Sequence, residues 1–205
     1  MTTTLDARRS SPAALRNRAP ILDVLRRVLP GRGLVLTIAE GTGEHVTFFA
    51  PALPALEWQP TDRDPDALAS ISAHLAHAPL PNVRAPIALD VTEERWPVER
   101  ADAITCINMI HASPWESTPA LLRGAARALE QEGAPLLLYG AYRIGGQHTA
   151  PSNEEFDAWL KARDPRWGVR DLETVLELAA AEGLAHDETI PMPAHNLMLV
   201  LRKSP

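Results

Sequence analysis

The run Leu34-Val35-Leu36-Thr37-Ile38-Ala39 restricts the fold more than any other feature of this sequence. It is short, rich in branched side chains and nearly free of polar ones. A strand with one wet face would alternate apolar and polar residues. This one must be covered on both faces, as strands of a parallel sheet are. Ala103 to Ile107 and Ala134 to Tyr139 have the same character. Segments of helical period lie between such runs. From Asn17 to Leu29, the residues Ile21, Leu22, Leu25, Val28 and Leu29 recur three and four apart, and Pro30-Gly31 ends the helix. Asp64 suits a helix cap and Pro65 a first turn, and Leu68, Ile71 and Leu75 form the stripe that follows. Glu44 to Ala50, Thr118 to Leu129 and Asp171 to Glu182 complete the helices, with Gly183 stopping the last.

Leu56 to Gln59 and Ile87 to Leu89 add two shorter strands. Strands alternating with helices imply an α/β fold of right-handed βαβ units and a mostly parallel sheet. Asp187 to Ile190 and Leu197 to Leu201, linked through Pro191-Met192-Pro193, form a hairpin that leaves one strand antiparallel. Arg143 to Arg170 breaks the alternation. It holds Gly145-Gly146, a Ser152…Glu155 pair at capping-box spacing, and Phe156, Trp159 and Leu160 on one helix face. The expectation is one domain over residues 1–205 with a lid-like insertion at about 143–170. Residues 1–12 are polar and aperiodic, so a flexible lead-in is expected there.

Composition narrows the class further. Hydrophobic residues make up 45 %, too many for a disordered chain. The net charge of −6 comes with no basic stripe, which argues against a nucleic-acid partner. No apolar run nears the ~18 residues of a membrane span. The arginines near the N-terminus have no hydrophobic segment behind them, so no secretory signal is present and a cytoplasmic location is expected. Cys106, the one cysteine, lies in an apolar run and reads as a buried small hydrophobe. The seven histidines include no close pair joined by a carboxylate at ligand spacing, so no metal site is expected.

Four motifs fall at carboxyl ends of strands, where ligands bind in open parallel sheets. The first is the turn Glu40-Gly41-Thr42-Gly43-Glu44 with His45 behind it. Its glycines allow close backbone approach, and the next helix presents free N–H groups. Val46 stands where a dinucleotide fingerprint needs its third glycine, which counts against NAD, and no phosphate-loop lysine is present. The second is Asp62, about 20 residues on, which either accepts bonds from ribose hydroxyls or caps a helix. The third is Asp90-Val91, an acid for an adenine amino group beside an apolar wall, or else a surface loop. The fourth is Asn108-Met109-Ile110-His111.

This constellation resembles the class I S-adenosylmethionine (SAM)-dependent methyltransferases, over about Arg16 to Arg202. More narrowly, the chain resembles the methyltransferase-like 26 group. The strings that carry this likeness are Arg16-Asn17-Arg18 with Pro20-Ile21-Leu22, Gly41-Thr42-Gly43-Glu44-His45, Trp58-Gln59-Pro60, Ile107-Asn108-Met109-Ile110-His111, Thr149-Ala150-Pro151-Ser152-Asn153 and Asp164-Pro165-Arg166-Trp167-Gly168-Val169-Arg170-Asp171. The resemblance implies a Rossmann-like three-layer sandwich whose seven-stranded, mostly parallel sheet has its last strand antiparallel. It implies SAM as cofactor, held by Glu40, Gly41, Thr42, Gly43, His45, Asp62, Asp90, Val91 and Asn108. One departure stands out. Similar proteins carry an acid near the end of the first strand, where Thr37 stands here, and a small residue where Glu40 stands. Glu40 either takes over the methionine ammonium or that end of the cofactor sits differently.

Methyl transfer from a sulfonium depends mainly on alignment and needs a base only when the acceptor starts protonated. His111 is the best-placed base, with a structural hydrogen-bonding role equally open. Tyr139 and Tyr142 are candidates to line the transfer site. Asn17, His148, Asn153, Trp167 and Asn196 are candidates to touch the acceptor, expected to be a small molecule; Trp159 reads as packing. Two other readings remain: cyclisation or cleavage of SAM, and a non-catalytic binding protein. Monomer and homodimer are both open.

Overall fold

The computed structural model describes residues 7–205. The elements run α1 (Pro12–Val28), β1 (Gly33–Ile38), α2 (Glu44–Ala52), β2 (Leu56–Asp62), α3 (Pro65–His77), β3 (Ile87–Ala88), β4 (Ala103–Ile107), α4 (Ser117–Ala128), β5 (Pro135–Ile144), β6 (Gln147–His148), α5 (Pro151–Arg163), β7 (Arg170–Asp171), α6 (Leu172–Ala181), β8 (Leu184–Met192) and β9 (Asn196–Lys203), with a 3-10 turn at Pro193–His195. The sheet order is β3-β2-β1-β4-β5-β9-β8, and the two-residue β6 and β7 pair beside β5. β3, β2, β1, β4 and β5 are mutually parallel, and β9 runs antiparallel between β5 and β8. This is the mostly parallel sheet with an antiparallel last strand that the alternation predicts.

Period-two alternation along the central strands divides the core into two faces. Leu36, Ile104, Cys106, Leu136, Leu138 and Leu199 point to the side closed by α4 and α6. Val35, Ala103, Leu137, Tyr139 and Val200 point to the side closed by α1, α2 and α3. Both faces are fully buried, so helices must sit on both, and three layers result. Cys106 is buried within the first of these faces. Among the described residues, no helix is long and apolar enough to cross a membrane.

Several expectations are corrected here. Of the expected flexible lead-in, residues 1–6 lie outside the described residues. Arg9 to Ser11 form a bonded strap: the Arg9 N–H donates to Ser70 Oγ at 2.8 Å, the Ser10 hydroxyl to Glu44 at 2.8 Å and the Ser11 N–H to Glu44 at 2.6 Å. Ser11 caps α1, with Pro12 in its first turn, so the helix starts five residues before Asn17. β5 continues past Tyr139 to Ile144, because Gly140 is an extended strand residue and not a stop. The Ser152…Glu155 capping box does not form: Pro151 takes the first turn and Ala150 stands at the cap. The β8–β9 link is Pro193–His195, since β8 runs on through Pro191 and Met192. Trp159 does pack on Phe156, as its shared helix face predicts, with the Arg163 guanidinium over its ring, while about half of the side chain stays exposed.

Gly124 on α4 shows how the layers lock. A Cβ there would stand 2.0 Å from Cζ2 of Trp96, whose buried indole fills the space beside the helix and donates to the Val91 carbonyl at 3.4 Å. Gly124→Ala therefore forces the indole to move, at a cost of about 1–3 kcal/mol for overpacking. Urea unfolding followed by tryptophan fluorescence checks this; a midpoint equal to that of the native sequence would show that Trp96 does not hold this position.

Candidate functional site

The sheet reverses its winding between β1 and β4, and there the two neighbouring strands end in an unusual way. Ala39 follows β1 with φ of 52° and Asn108 follows β4 with φ of 61°. Asparagine tolerates this left-handed region and alanine pays for it. Both chains thereby leave the sheet plane, and a cleft opens at the carboxyl ends of β1, β2 and β4.

One cavity of about 250 Å³ lies in that cleft, lined by Ile38, Ala39, Asp62, Arg63, Leu89, Asp90, Val91, Asn108, Met109 and Ser113 among others. Asp62 accepts from the Gly41 N–H at 2.9 Å with one oxygen and from the Asp64 N–H at 2.9 Å with the other. Its two edges thus tie the glycine turn to the start of α3. Asp90 accepts from the Thr92 N–H and hydroxyl at 2.9 and 2.7 Å, and Arg63 stands 3.7 Å away. The structure thus brings Asp62, Asp90, Val91 and Asn108 to one cavity, as the strand-end reading expects. Sequence reasoning passed over Ala39, Arg63 and Ser113. The signal for Arg63 was its place beside Asp62; Ala39 carried none without its backbone angle.

The glycine turn borders this cavity through Asp62. Gly43, with φ of 90°, packs on α3, where a Cβ would lie 3.1 Å from the Ile71 Cα. At Gly41 a Cβ would meet nothing, so that glycine leaves open space. The Thr42 carbonyl accepts from Ser70 and its hydroxyl donates to Glu44. Glu40 corrects an expectation: it lines neither cavity, and its buried carboxyl accepts from the Val46 N–H at 2.7 Å, so it caps α2 from within. Burial pushes its pKa up to about 7. Thr37 is buried as well, with its hydroxyl unpartnered.

A second cavity, of about 420 Å³, is walled by α1, α5 and the β8–β9 turn. Arg16, Asn17, Tyr139, Asn153, Phe156, Ala194 and Asn196 line it, and Asn108 lines both cavities. Asn108 is thus their shared wall. His45 stands behind Asn17, its Nε2 2.8 Å from the Asn17 Oδ1, and burial lowers its pKa to about 4, so the neutral ring donates. Burial raises the Tyr139 phenol above its usual range. Asn153 is buried and donates to Thr149 Oγ1 and the His195 carbonyl, both at 2.9 Å, which joins α5 to the turn where Ala194 and His195 are left-handed.

Four expected residues lie elsewhere. His111 is fully buried with neither ring nitrogen partnered, edge-on to Tyr142 at 5.0 Å, and burial pushes it down to about 3. It lies against Gly140, where a Cβ would stand 2.2 Å from Nε2. Tyr142 is likewise fully buried among apolar side chains. Neither reaches a cavity, because the left-handed turn at Asn108 points the asparagine outward and carries His111 back under β5. His148 pairs with Asp157 at 3.4 Å, and Trp167 packs on Ala141, Leu160 and Val169. Among the described residues no group of three potential ligands could hold a metal.

Residues 8–203 match the model of a family described as a protein of unknown function (DUF938). The fold is that of class I SAM-dependent methyltransferases. An O-methyltransferase family 2 protein from Planctomyces limnophilus, solved with apigenin, superposes with a TM-score of 0.80 at 21 % identity, over 93 % of this chain and 58 % of that one. The O-methyltransferase NcsB1 from neocarzinostatin biosynthesis, solved with SAM and 2-hydroxy-5-methyl naphthoic acid, gives 0.74 at 16 %, over 94 % and 55 %. YcgJ from Bacillus subtilis gives 0.71 at 17 %, over 93 % and 99 %. This chain therefore spans a little over half the length of the two O-methyltransferases.

The buried Glu40 generates a pH dependence. Its folded pKa of about 7 lies above the ordinary glutamate value of 4.5, so the folded chain binds the extra proton between them. Its contribution to stability is greatest below pH 4.5 and falls as pH rises through 7. The full cost above that is at most about 3 kcal/mol at 1.36 kcal/mol per pK unit. Glu40→Gln keeps an oxygen for Val46 and removes the charge. Urea midpoints of both proteins at pH 5 and pH 8 should show the variant gaining on the native chain as pH rises; an unchanged difference would mean that Glu40 is not buried as described.

Proposed function

This chain belongs to the family described as a protein of unknown function (DUF938), and we propose that it is a SAM-dependent methyltransferase acting on a small molecule by direct transfer. The observation that carries the reading is the pair of cavities meeting at Asn108. Within the family we place the chain in the methyltransferase-like 26 group, on the strings from Arg16-Asn17-Arg18 to Asp164-Pro165-Arg166-Trp167. We take it to act in the cytoplasm as one domain, with α5 and its flanking residues serving as the roof of the acceptor cavity.

The residues of the first cavity fit an adenosyl group. Asp90 lines the cavity, Leu89, Val91 and Met109 supply apolar walls, and Asp62 lies on the side of the glycine turn. Open space at Gly41 lets the backbone approach the ligand. Asp62 holds the Gly41 N–H, so it would orient the turn as well as accept from a ribose hydroxyl. Bound there, SAM supplies a methyl group already activated by its sulfonium.

The remaining chemistry is positioning. Asn108 fixes the boundary between the cavities and is itself fixed, since its N–H donates to the Tyr139 carbonyl at 2.8 Å and its carbonyl accepts from His111 N–H at 3.1 Å. Tyr139, Asn17, Asn153 and Asn196 offer neutral donors and acceptors around the acceptor. No histidine lines either cavity in the structure, so the transfer rests on alignment, which is sufficient for an activated methyl group.

Calorimetric titration with SAM tests the reading. The native chain should bind, and Asp90→Ala should weaken binding about 10-fold, the worth of one charge-assisted bond near 1.4 kcal/mol. The melting temperature should hardly move, because the Asp90 side chain is partly exposed. Absence of any heat up to millimolar SAM would remove the proposal.

A further inference from the structure

We infer that the acceptor is a small organic carboxylate, drawn in by Arg16 and methylated as the anion it already is. This rests on the methyltransferase reading and names the substrate class of the same site.

The argument starts from what lines the second cavity. Among the described residues its ionisable groups are Arg16 and the Tyr139 phenol, and no carboxylate, lysine or histidine of that set joins them. Arg16 lies on the exposed side of α1, one residue before the Asn17 that pairs with His45. It acts on the Tyr139 phenol, yet among the described residues it makes no ion pair or hydrogen bond. Most arginines of this acidic chain are otherwise employed. Arg84 grips Glu57, Arg143 grips Asp171, Arg166 grips Asp164 and Arg202 grips Asp187. A guanidinium without a partner among the described residues, lining a cavity to which those residues bring no acid, leaves one planar fork of donors for an incoming anion. A carboxylate matches that fork in both charge and geometry.

The absence of a base among the lining groups points the same way. The phenol of Tyr139 is held above its normal range, so at neutral pH it carries its proton and donates. His45 contacts the site only through the Asn17 amide, and its ring nitrogen serves that bond. An alcohol or phenol acceptor would need a proton removed during attack, and a carboxylate would not. A carboxylate oxygen forms the new C–O bond with its own lone pair. The methyl–sulfur bond breaks, its pair stays on sulfur and neutralises the sulfonium, and no proton moves. The products are a methyl ester and S-adenosylhomocysteine. Pro20, Phe156, Pro193 and Ala194 give the cavity apolar walls for the rest of an acid of modest size, since the whole space is about 420 Å³.

The probes are benzoate and hexanoate against benzamide and hexanamide, which share shape and differ in charge. Each is titrated by calorimetry into the native chain with and without saturating S-adenosylhomocysteine, and into Arg16→Gln and Arg16→Lys. Arg16 is exposed and makes no hydrogen bond or ion pair among the described residues, so both variants should melt as the native chain does. The acids should bind about 10-fold tighter than their amides, a gap of one charge-assisted pair. Arg16→Gln should close that gap, Arg16→Lys should keep part of it, and added salt should narrow it in the native chain. Equal binding of acid and amide, including no binding of either, overturns the inference, as does a gap that survives Arg16→Gln. A parallel titration with SAM alone reports separately on the methyltransferase reading. SAM bound with no preference for the acids leaves that reading standing and removes this one.

Discussion

The site depends on how β1 and β4 part company. The two strands are paired up to Ile38 and Cys106, and Ala39, the next residue after Ile38, and Asn108, two past Cys106, turn left-handed. Each such residue costs of order 1–3 kcal/mol and persists only where surrounding structure over-determines it. Here it does. The Glu40 N–H after Ala39 is held by the Thr61 carbonyl at 2.9 Å, and the Asn108 N–H by the Tyr139 carbonyl at 2.8 Å. Both anchors come from the flanking strands, β2 and β5. The four central strands therefore jointly hold open the cleft between the inner two.

The glycine turn is fixed with comparable redundancy, from its polar side. Asp62 grips Gly41, Ser70 donates to Thr42, and Glu44 receives Ser10, Ser11 and Thr42. The Arg9–Ser11 strap thus ties the first described residues to the same turn that borders the first cavity. α1 then continues directly into the wall of the second cavity through Ala13, Arg16 and Asn17. One segment consequently braces one cavity and walls the other, which couples their geometries through covalent continuity as well as packing.

Much of this was legible in residues alone. The bounds of β4 follow from its apolar run, and the Asp64–Pro65 start of α3 from capping chemistry, since both signals are local. Asp62, Asp90 and Asn108 converge because strand ends converge in any such sheet. What failed was direction. A position just past a strand does not say whether a side chain enters the cleft or the core, and His111 went to the core because a single left-handed residue reversed the chain. Gly140 hid the length of β5, since its missing Cβ makes room for His111 and does not end the strand. Ser11-Pro12 was a readable helix start that the polarity of the first residues masked, and with it went Arg16.

The placement of His111 carries a consequence for how this site must work. A buried, unpartnered imidazole next to Tyr142 is a costly arrangement, and it is stable only in the neutral form, which burial enforces down to a pKa of about 3. The histidine that follows β4 in sequence is therefore neutral near pH 7. Asn108 takes its place at the junction, with an amide that neither gains nor loses a proton across the physiological range. The chemistry available at the junction is then insensitive to the charge state of its own side chains. The second cavity presents amides, the Tyr139 phenol and the Arg16 guanidinium, and the acceptor proposed for it is accordingly one that arrives with its negative charge already in place.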